Sequence, residues 1–548
     1  MPERKVGSFV LVTAVLLCVG LFFSVSGSPP GDQLVKINKP PHPNLSVLTA
    51  APIRVVQELQ NCWLARIEPS YGERLSQNGF SWELLDADSS GKSYFLVFLA
   101  RAEQSEVLKT LGNAMAIEPL ISLFWSETEN VRGLVPADCR LKKLPTKAVR
   151  LQAGATAPAP GGSAASAWIT ANPQIVDLVS QVALDNLSSD ILDLQNFQTR
   201  YASTASCEAA GTFLYDFFAS LGLAVEYDPF SFSGYTSRNI VATIPGQVAP
   251  DQTVIVCGHY DSYSNQRLVL APGADDNASG TAAAMEIGRL FRGHDFDFTI
   301  KLICFSAEEW GLYGSEHYAQ MASQQGQKII AVLNLDMIAY ADIIPENLDL
   351  IVNLDSTWLA DHFTSVSSAY TSLPLLKVVN ASLTWSDHSS FWDEGFSALC
   401  GIEDWDTTNP YYHQTTDTLD KLNLDFAISV LQGLVATTAD LAQPLSTPRT
   451  PAGLTARSQI NRSLVSATKT AFLSWDSSTE PLAGYHVYRS VTSRSGYQKL
   501  TDVPVSASAY TDYYLEPNTS YYYKVKAMDL QNRESNFTQE VRDDENNS

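Results

Sequence analysis

Apolar and polar residues along this chain follow three different textures, and the texture changes at two places. Between residues 53 and 126, short apolar stretches (IRVVQEL, SWELLDAD, SYFLVFLA, MAIEPLISLFWS) are separated by the helix-like SYGERLSQNG and EQSEVLKTLG. That βαββαβ order predicts a small two-layer α+β domain over residues 34–150. It holds no cluster of His, Cys or acidic residues that suggests chemistry, and it reads as either a propeptide or a permanent accessory domain. Ala, Gly, Pro and Ser then fill residues 153–167, AGATAPAPGGSAASA, so a linker is expected over 151–168.

From 169 to 443, strand-like runs alternate with helix-like ones. NIVATIP, TVIVCG, TIKLICFS, IIAVLNLD, LDLIVNLD and FSALCGIE are the strand candidates. Several are apolar throughout, as strands buried on both faces must be. ASGTAAAMEIGRLFRG, residues 278–293, has helical spacing, with Asp275, Asp276 and Asn277 at its mouth as candidate caps. The expected class is α/β, with a mixed, mostly parallel sheet and helices on both faces. Past PLSTPRTPAG, residues 450–541 change to turn-rich runs of period two, the pattern of a β-sandwich. There Tyr521, Tyr523, Val525 and Ala527 fall on one face and Lys524 and Lys526 on the other. This tail resembles a fibronectin type III domain, with Trp475 as its core tryptophan and Leu515 and Tyr521 as its tyrosine corner.

Composition narrows the partners. With 59 acidic against 36 basic residues among 548, the net charge is −23, which argues against phosphate backbones and anionic membrane surfaces. The segment MPERK followed by VGSFVLVTAVLLCVGLFFSVSG reads as an export signal over 1–28, cleaved near Gly27 or Ser28. The body is therefore expected outside the cytoplasm, secreted or periplasmic, with an uncleaved N-terminal membrane anchor as the alternative. Of seven cysteines, Cys18 lies in that segment and the other six show no metal-binding spacing. Cys62 and Cys139 could pair, and Cys257 and Cys304 read as buried apolar residues.

The chemistry gathers at the strand ends, where open α/β sheets bind ligands. TVIVCG leads to His259 and Asp261, TIKLICFSA to Glu308 and Glu309, and IIAVLNL to Asp336. Asp275 and Asp276 sit in APGADDNASG, and His413 and Asp417 in YYHQTTDT. Any one of these alone reads as a cap or a solvated turn. Together they offer imidazole and carboxylate without thiolate, a donor set that suits zinc in an open catalytic site. Two His and three acids exceed one tetrahedral zinc, whereas one shared carboxylate gives two metals three ligands each. Two such ions can activate one water, and one of the vicinal pair Glu308-Glu309 can take its proton.

From about Ile191 to Ala442 the chain closely resembles the secreted di-zinc aminopeptidases of metallopeptidase family twenty-eight. GHYDS, APGADDNASG, FSAEEWGLYGS, NLDMI, SDHSSFW and YYHQTTDT carry the likeness. It implies a zinc exopeptidase fold and two Zn2+ ions per chain. By that similarity His259 and Asp336 bind one zinc, Glu309 and His413 the other, and Asp276 bridges them. Glu308 is the implied general base toward a metal-bridged water, Asp261 the carboxylate behind His259, and Tyr412 an oxyanion donor. Asp387, His388 and Asp417 are supporting residues. The implied reaction is hydrolysis of the bond after a free N-terminal residue of a peptide or protein. A carboxypeptidase or dipeptidase would share the ligands and need a cationic pocket for a substrate carboxylate. Glutaminyl cyclase on a related fold uses one zinc, which the five-ligand set argues against, and a non-catalytic binding protein would have lost the set. The C-terminal domain is expected to offer at most a surface or polymer contact.

Overall fold

Runs of Val, Ile, Leu and Cys that bury both faces of a strand have to lie inside a sheet, and here they do. The computed structural model describes residues 32–149, 171–444 and 448–544, with short breaks at 42–44, 50–52, 112, 137, 406–408, 449, 463–466, 479–481, 530–533 and 536. The export segment and the expected linker lie outside the described residues.

The N-terminal domain has two antiparallel sheets. Strands β1 (Gln33–Asn38), β2 (Arg54–Glu58), β3 (Cys62–Ile67) and β4 (Trp82–Asp86) pair in the order β2-β3-β1-β4. Strands β5 (Ser93–Phe98), β6 (Ala114–Glu118), β7 (Ile121–Ser126) and β8 (Arg140–Lys143) pair in the order β6-β7-β5-β8. The domain is thus richer in strand than its sequence suggests. MAIEPLISLFWS is a hairpin, because the chain reverses at Pro119-Leu120, and β8 is a short, Lys- and Arg-rich edge strand with no apolar run to announce it. Cys62 and Cys139 do not pair: Cys62 starts β3 and Cys139 precedes β8, in different sheets. All six cysteines of the described residues are free thiols. Burial pushes both of these thiols up to about 12.

The central sheet contains β9 (Ala224–Phe232), β10 (Tyr235–Ile244), β11 (Ala249–His259), β12 (Phe298–Phe305), β13 (Lys328–Leu335), β14 (Leu348–Val352), β15 (Leu375–Val379) and β16 (Ala398–Ile402). Their order is β15-β14-β16-β13-β11-β12-β10-β9. The four middle strands, β16, β13, β11 and β12, are parallel to one another, and β14, β9 and β10 bring in antiparallel pairs. Val254 and Val256 of β11 face a core shared with helices Ala205–Ser220, Gly280–Phe291 and Leu424–Ala442. The last of these is long and apolar enough to cross a membrane, but it is largely buried in this core. Ile255 and Cys257 point to the other face, where Ile303, Phe305 and Trp385 join Leu64, Tyr94 and Leu96 of the N-terminal domain in one apolar cluster. The N-terminal domain and the central sheet therefore share a core.

Two glycines set the spacing beneath the strand ends. A Cβ on Gly258 would lie 2.9 Å from the Leu335 carbonyl oxygen, and one on Gly280 would run into the same carbonyl. Their absence of a side chain lets β11, β13 and the start of helix Gly280–Phe291 meet backbone to backbone.

The C-terminal unit, described by itself, is a sandwich of a three-stranded and a four-stranded antiparallel sheet. Tyr521, Tyr523, Val525 and Ala527 are buried in it, and Lys524 and Lys526 are partly exposed. Trp475 meets Tyr485 edge-on at 5.2 Å, and the Tyr521 hydroxyl accepts from the Glu516 amide at 3.2 Å.

Candidate metal centre

Three strands and two loops bring the charged residues together. His259 ends β11, Glu308 and Glu309 follow β12, and Asp336 follows β13. Asp276 comes from the turn before helix Gly280–Phe291, where the Asp276–Asn277 peptide is cis, and His413 from the loop after β16. Left-handed backbone recurs at non-glycine residues here: Ala307 just before Glu308, Met337 just after Asp336, and His413 itself have φ of 59°, 58° and 57°. Each such residue costs about 1–3 kcal/mol and persists only where surrounding bonds fix it. The Ala307 carbonyl accepts from the Tyr313 amide at 3.2 Å, the Met337 carbonyl from the Glu403 amide at 3.0 Å, and the His413 ring lies 3.1 Å from Arg132.

The site divides into two trios that share one carboxylate. His259 Nε2 lies 3.3 Å from Asp276 Oδ1 and 3.4 Å from Asp336 Oδ1. His413 Nε2 lies 3.1 Å from Asp276 Oδ2 and 2.9 Å from Glu309 Oε2. Zinc–donor bonds of about 2.0–2.1 Å in a tetrahedron place donors about 3.3 Å apart. The first trio matches that spacing and the second is slightly tighter. Asp276 Oδ2 and Asp336 Oδ1 are moreover buried with no hydrogen bond. The donor set, the spacing and these two oxygens fit a pair of zinc ions.

Around the trios, Asp261, Asp417, Tyr412 and His388 each have a definite contact, whereas both carboxylate oxygens of Asp387, also expected to support the site, are buried with no hydrogen bond. His259 Nδ1 faces the backbone carbonyl of Asp261 at 3.0 Å and its carboxylate at 3.6 Å. The same carboxylate accepts from the amides of Glu308 at 3.1 Å and Glu309 at 3.3 Å, so Asp261 ties the end of β11 to the start of the Glu-Glu turn. Asp417 accepts from the amides of Asp275 and Asp276. Asp275 is no helix cap: its carboxylate accepts from Ala339 N and Asn409 Nδ2, and the capping is done by Asn277, which accepts from Gly280 N. Tyr412 stacks on His413 with ring centroids 3.7 Å apart. Buried His388 donates from Nε2 to the Leu383 carbonyl at 2.8 Å.

Burial and crowding set the charges. Glu308, with Oε2 3.9 Å from His259 Nε2, is pushed well above the usual range by burial and by Glu309, Asp336 and Asp387, against the pull of His259. Burial opposes charge on Asp276, yet His259 and His413 together hold its carboxyl below the ordinary value. Burial also opposes charge on His259, but Glu308, Asp261, Asp276 and Asp336 raise it well above an ordinary histidine.

Three arginines belong to the site that sequence reasoning did not reach. Arg200, fully buried, donates to the carbonyls of Tyr260, Leu194, Pro272 and Gly273 and shapes the turn that carries Asp276. Arg132 and Arg140 come from the N-terminal domain, so that domain does contribute to the chemistry-bearing region. Arg132 Nη2 lies 3.1 Å from His413 Nδ1 and 3.6 Å from Glu309 Oε2. Arg140 stacks 3.7 Å above Trp385 and donates to the Tyr412 hydroxyl at 3.3 Å. No sequence signal marked these two, since neither sits in a motif.

Known proteins are similar to this chain in sequence and fold. The model of Peptidase family M28 matches residues 239–438. A probable leucine aminopeptidase of Trichophyton verrucosum is 30% identical over 271 residues, 46% of this chain and 69% of that protein. A probable aminopeptidase of Saccharomyces cerevisiae is 28% identical over 269 residues, covering 46% of this chain and 72% of that protein. The crystal structure of LapB from Legionella pneumophila aligns with a TM-score of 0.50 at 20% identity, over 64% of this chain and 99% of that chain, a likeness of fold. The family match spans every residue of the two trios, and a relative aligns over more than two thirds of its own length: the chain belongs to peptidase family M28.

Proposed function

We propose that this chain is a zinc-dependent aminopeptidase that hydrolyses the peptide bond after a free N-terminal residue. The observation that carries the reading is the pair of His-plus-two-carboxylate trios joined at Asp276. In this reading His259 and Asp336 hold one zinc, His413 and Glu309 hold a second, and Asp276 bridges. Zinc at these positions supplies Lewis acidity toward the scissile carbonyl and the attacking water.

The residues of the chain do the rest. Glu308 takes the proton from water and passes it to the leaving amine, from a place beside the first trio with Oε2 3.9 Å from His259 Nε2. Asp261 orients His259 and, through the amides it binds, fixes the direction of Glu308. Tyr412 is assigned to donate to the developing oxyanion. Next to it a cavity of about 350 Å3, lined by Met337, Leu383, Trp385 and Tyr412 on the peptidase side, suits an apolar first side chain.

Residues 1–28 are assigned as an export signal and 151–168 as a linker, so the enzyme acts outside the cytoplasm. The C-terminal unit, with Trp475 in its core and the Tyr521–Glu516 bond at a strand corner, is assigned to the fibronectin type III class. A peptide library with free and blocked amino termini, read by mass spectrometry on zinc-loaded protein, tests the reaction. Trimming of free N-termini alone is expected; removal of C-terminal residues, or equal cleavage of blocked peptides, rejects it.

A further inference from the structure

A second cavity, of about 230 Å3, opens where β2 and the turn after it meet the ends of β14 and β15. It shares no lining residue with the metal centre. Leu354, 78% exposed, marks its mouth, and Val379, Trp392 and Phe396 give it an apolar wall. One water needs about 10–15 Å3 and drug-sized ligands take pockets of about 300–1,000 Å3, so this space suits a small organic molecule. Its polar lining is rich in acceptors that the fold leaves unused. Gln57, 1% exposed, donates from Nε2 to the Glu58 carbonyl and keeps Oε1 without a hydrogen bond. Thr384, also buried, has an unpartnered Oγ1. Two of the three carboxylates on the lining are matched, Glu58 by Lys39 and Asp393 by Lys142, each at 2.6 Å. Among the described residues the third, Asp355, has neither a hydrogen bond nor an ion pair, and burial with the nearby Glu58 pushes it above the usual carboxylate range. Buried polar atoms without partners call for an explanation, and here two of them line one cavity beside an unpaired charge.

A primary ammonium complements this set, with three N–H donors, one positive charge and no acceptor. A carboxylate on the same molecule would face Glu58, Asp355 and Asp393 against Lys39 alone, which argues against a free amino acid. We propose that the cavity binds a primary alkylammonium of about four carbons, its ammonium toward Asp355, Gln57 Oε1 and Thr384 Oγ1 and its alkyl chain against Trp392 and Phe396. The site is separate from the metal centre and does not depend on the aminopeptidase reading. A free amine and the side chain of a lysine both present this group.

Calorimetric titration of zinc-loaded full-length protein with butylammonium chloride at neutral pH tests the site. Binding at a single site is expected, with 1-butanol, which lacks the charge, and leucine, which adds a carboxylate, each at least about tenfold weaker. Asp355→Asn should weaken butylammonium by about tenfold and Thr384→Val by about threefold. Stripping the zinc with dipicolinate should leave the binding as it was. No binding to the folded wild type, 1-butanol as tight as butylammonium, or binding unchanged in Asp355→Asn overturns the proposal. So does binding that disappears with the zinc, which would put the amine at the metal centre. Should the variants not fold, the comparisons with 1-butanol and with zinc-stripped wild type still decide. Nα-acetyl-lysine methylamide, which carries the same group on a peptide backbone, separates the two sources. Binding as tight as butylammonium assigns the site to a lysine of another protein, and binding at least about tenfold weaker assigns it to free amines.

Discussion

The two trios of the candidate metal centre differ in what stands behind the histidine. Behind His259 is an acceptor, the Asp261 carbonyl at 3.0 Å with its carboxylate at 3.6 Å, and every contributor belongs to the peptidase domain. Behind His413 is a donor, the Arg132 guanidinium at 3.1 Å, supplied from another domain 281 residues earlier in the chain. A metal-binding imidazole normally gives its second N–H to an acceptor, which fixes the ring and raises its basicity. The His259 half has that support. The His413 half instead faces a cation that competes with the metal's charge, so its strength depends on how the N-terminal domain is placed.

The comparison can be broken in four ways. Glu308→Gln is expected to keep the zinc content of the wild type and lose about two to four orders of magnitude in turnover. Near-normal turnover would remove Glu308 from proton transfer, and loss of zinc would make it a ligand of the His259 half. Asp276→Ala comes next: zinc analysis after dialysis should find both equivalents weakened together, and loss of one alone would assign the carboxylate to one half. Asp261→Asn keeps the carbonyl acceptor 3.0 Å from His259 Nδ1 and removes only the charge 3.6 Å away, so it should weaken zinc in the His259 half by at most about 10-fold, the low end of the cost of disturbing such a partner. Equal weakening in both halves would mean that the amides of Glu308 and Glu309, not His259, are what Asp261 serves. Smallest is Arg132→Ala, which should tighten zinc in the His413 half by a few fold, opposite in sign to Asp261→Asn. Weaker zinc there would show that Arg132 supports the ligands rather than opposing the ion.

What the sequence revealed follows from where the information lies. Strands buried on both faces appear as unbroken apolar runs, and the polar residues that end those runs meet at one edge of the sheet. Hence β11, β12 and β13 and their terminal His259, Glu308, Glu309 and Asp336 were legible. The edge strands β9 and β15 are half exposed, and their mixed composition hides them. Arg132 and Arg140 were invisible for a different reason. Their contacts are set by the docking of one domain on another, and no local period records that. Asp275, read as a cap, turned out to hold Ala339 and Asn409, because the chain kinks at the mouth of the helix and gives the capping position to Asn277.

Gly258 and Gly280 have one more consequence. Because main chain rests on main chain there, the spacing of His259, Asp276 and Asp336 is insulated from the sizes of side chains deeper in the sheet. Substitutions deeper in the sheet are therefore expected to leave that spacing unchanged, whereas Gly258→Ala or Gly280→Ala is expected to move it. The positions that cannot drift are the two where even a methyl group would wedge the helix off the strands.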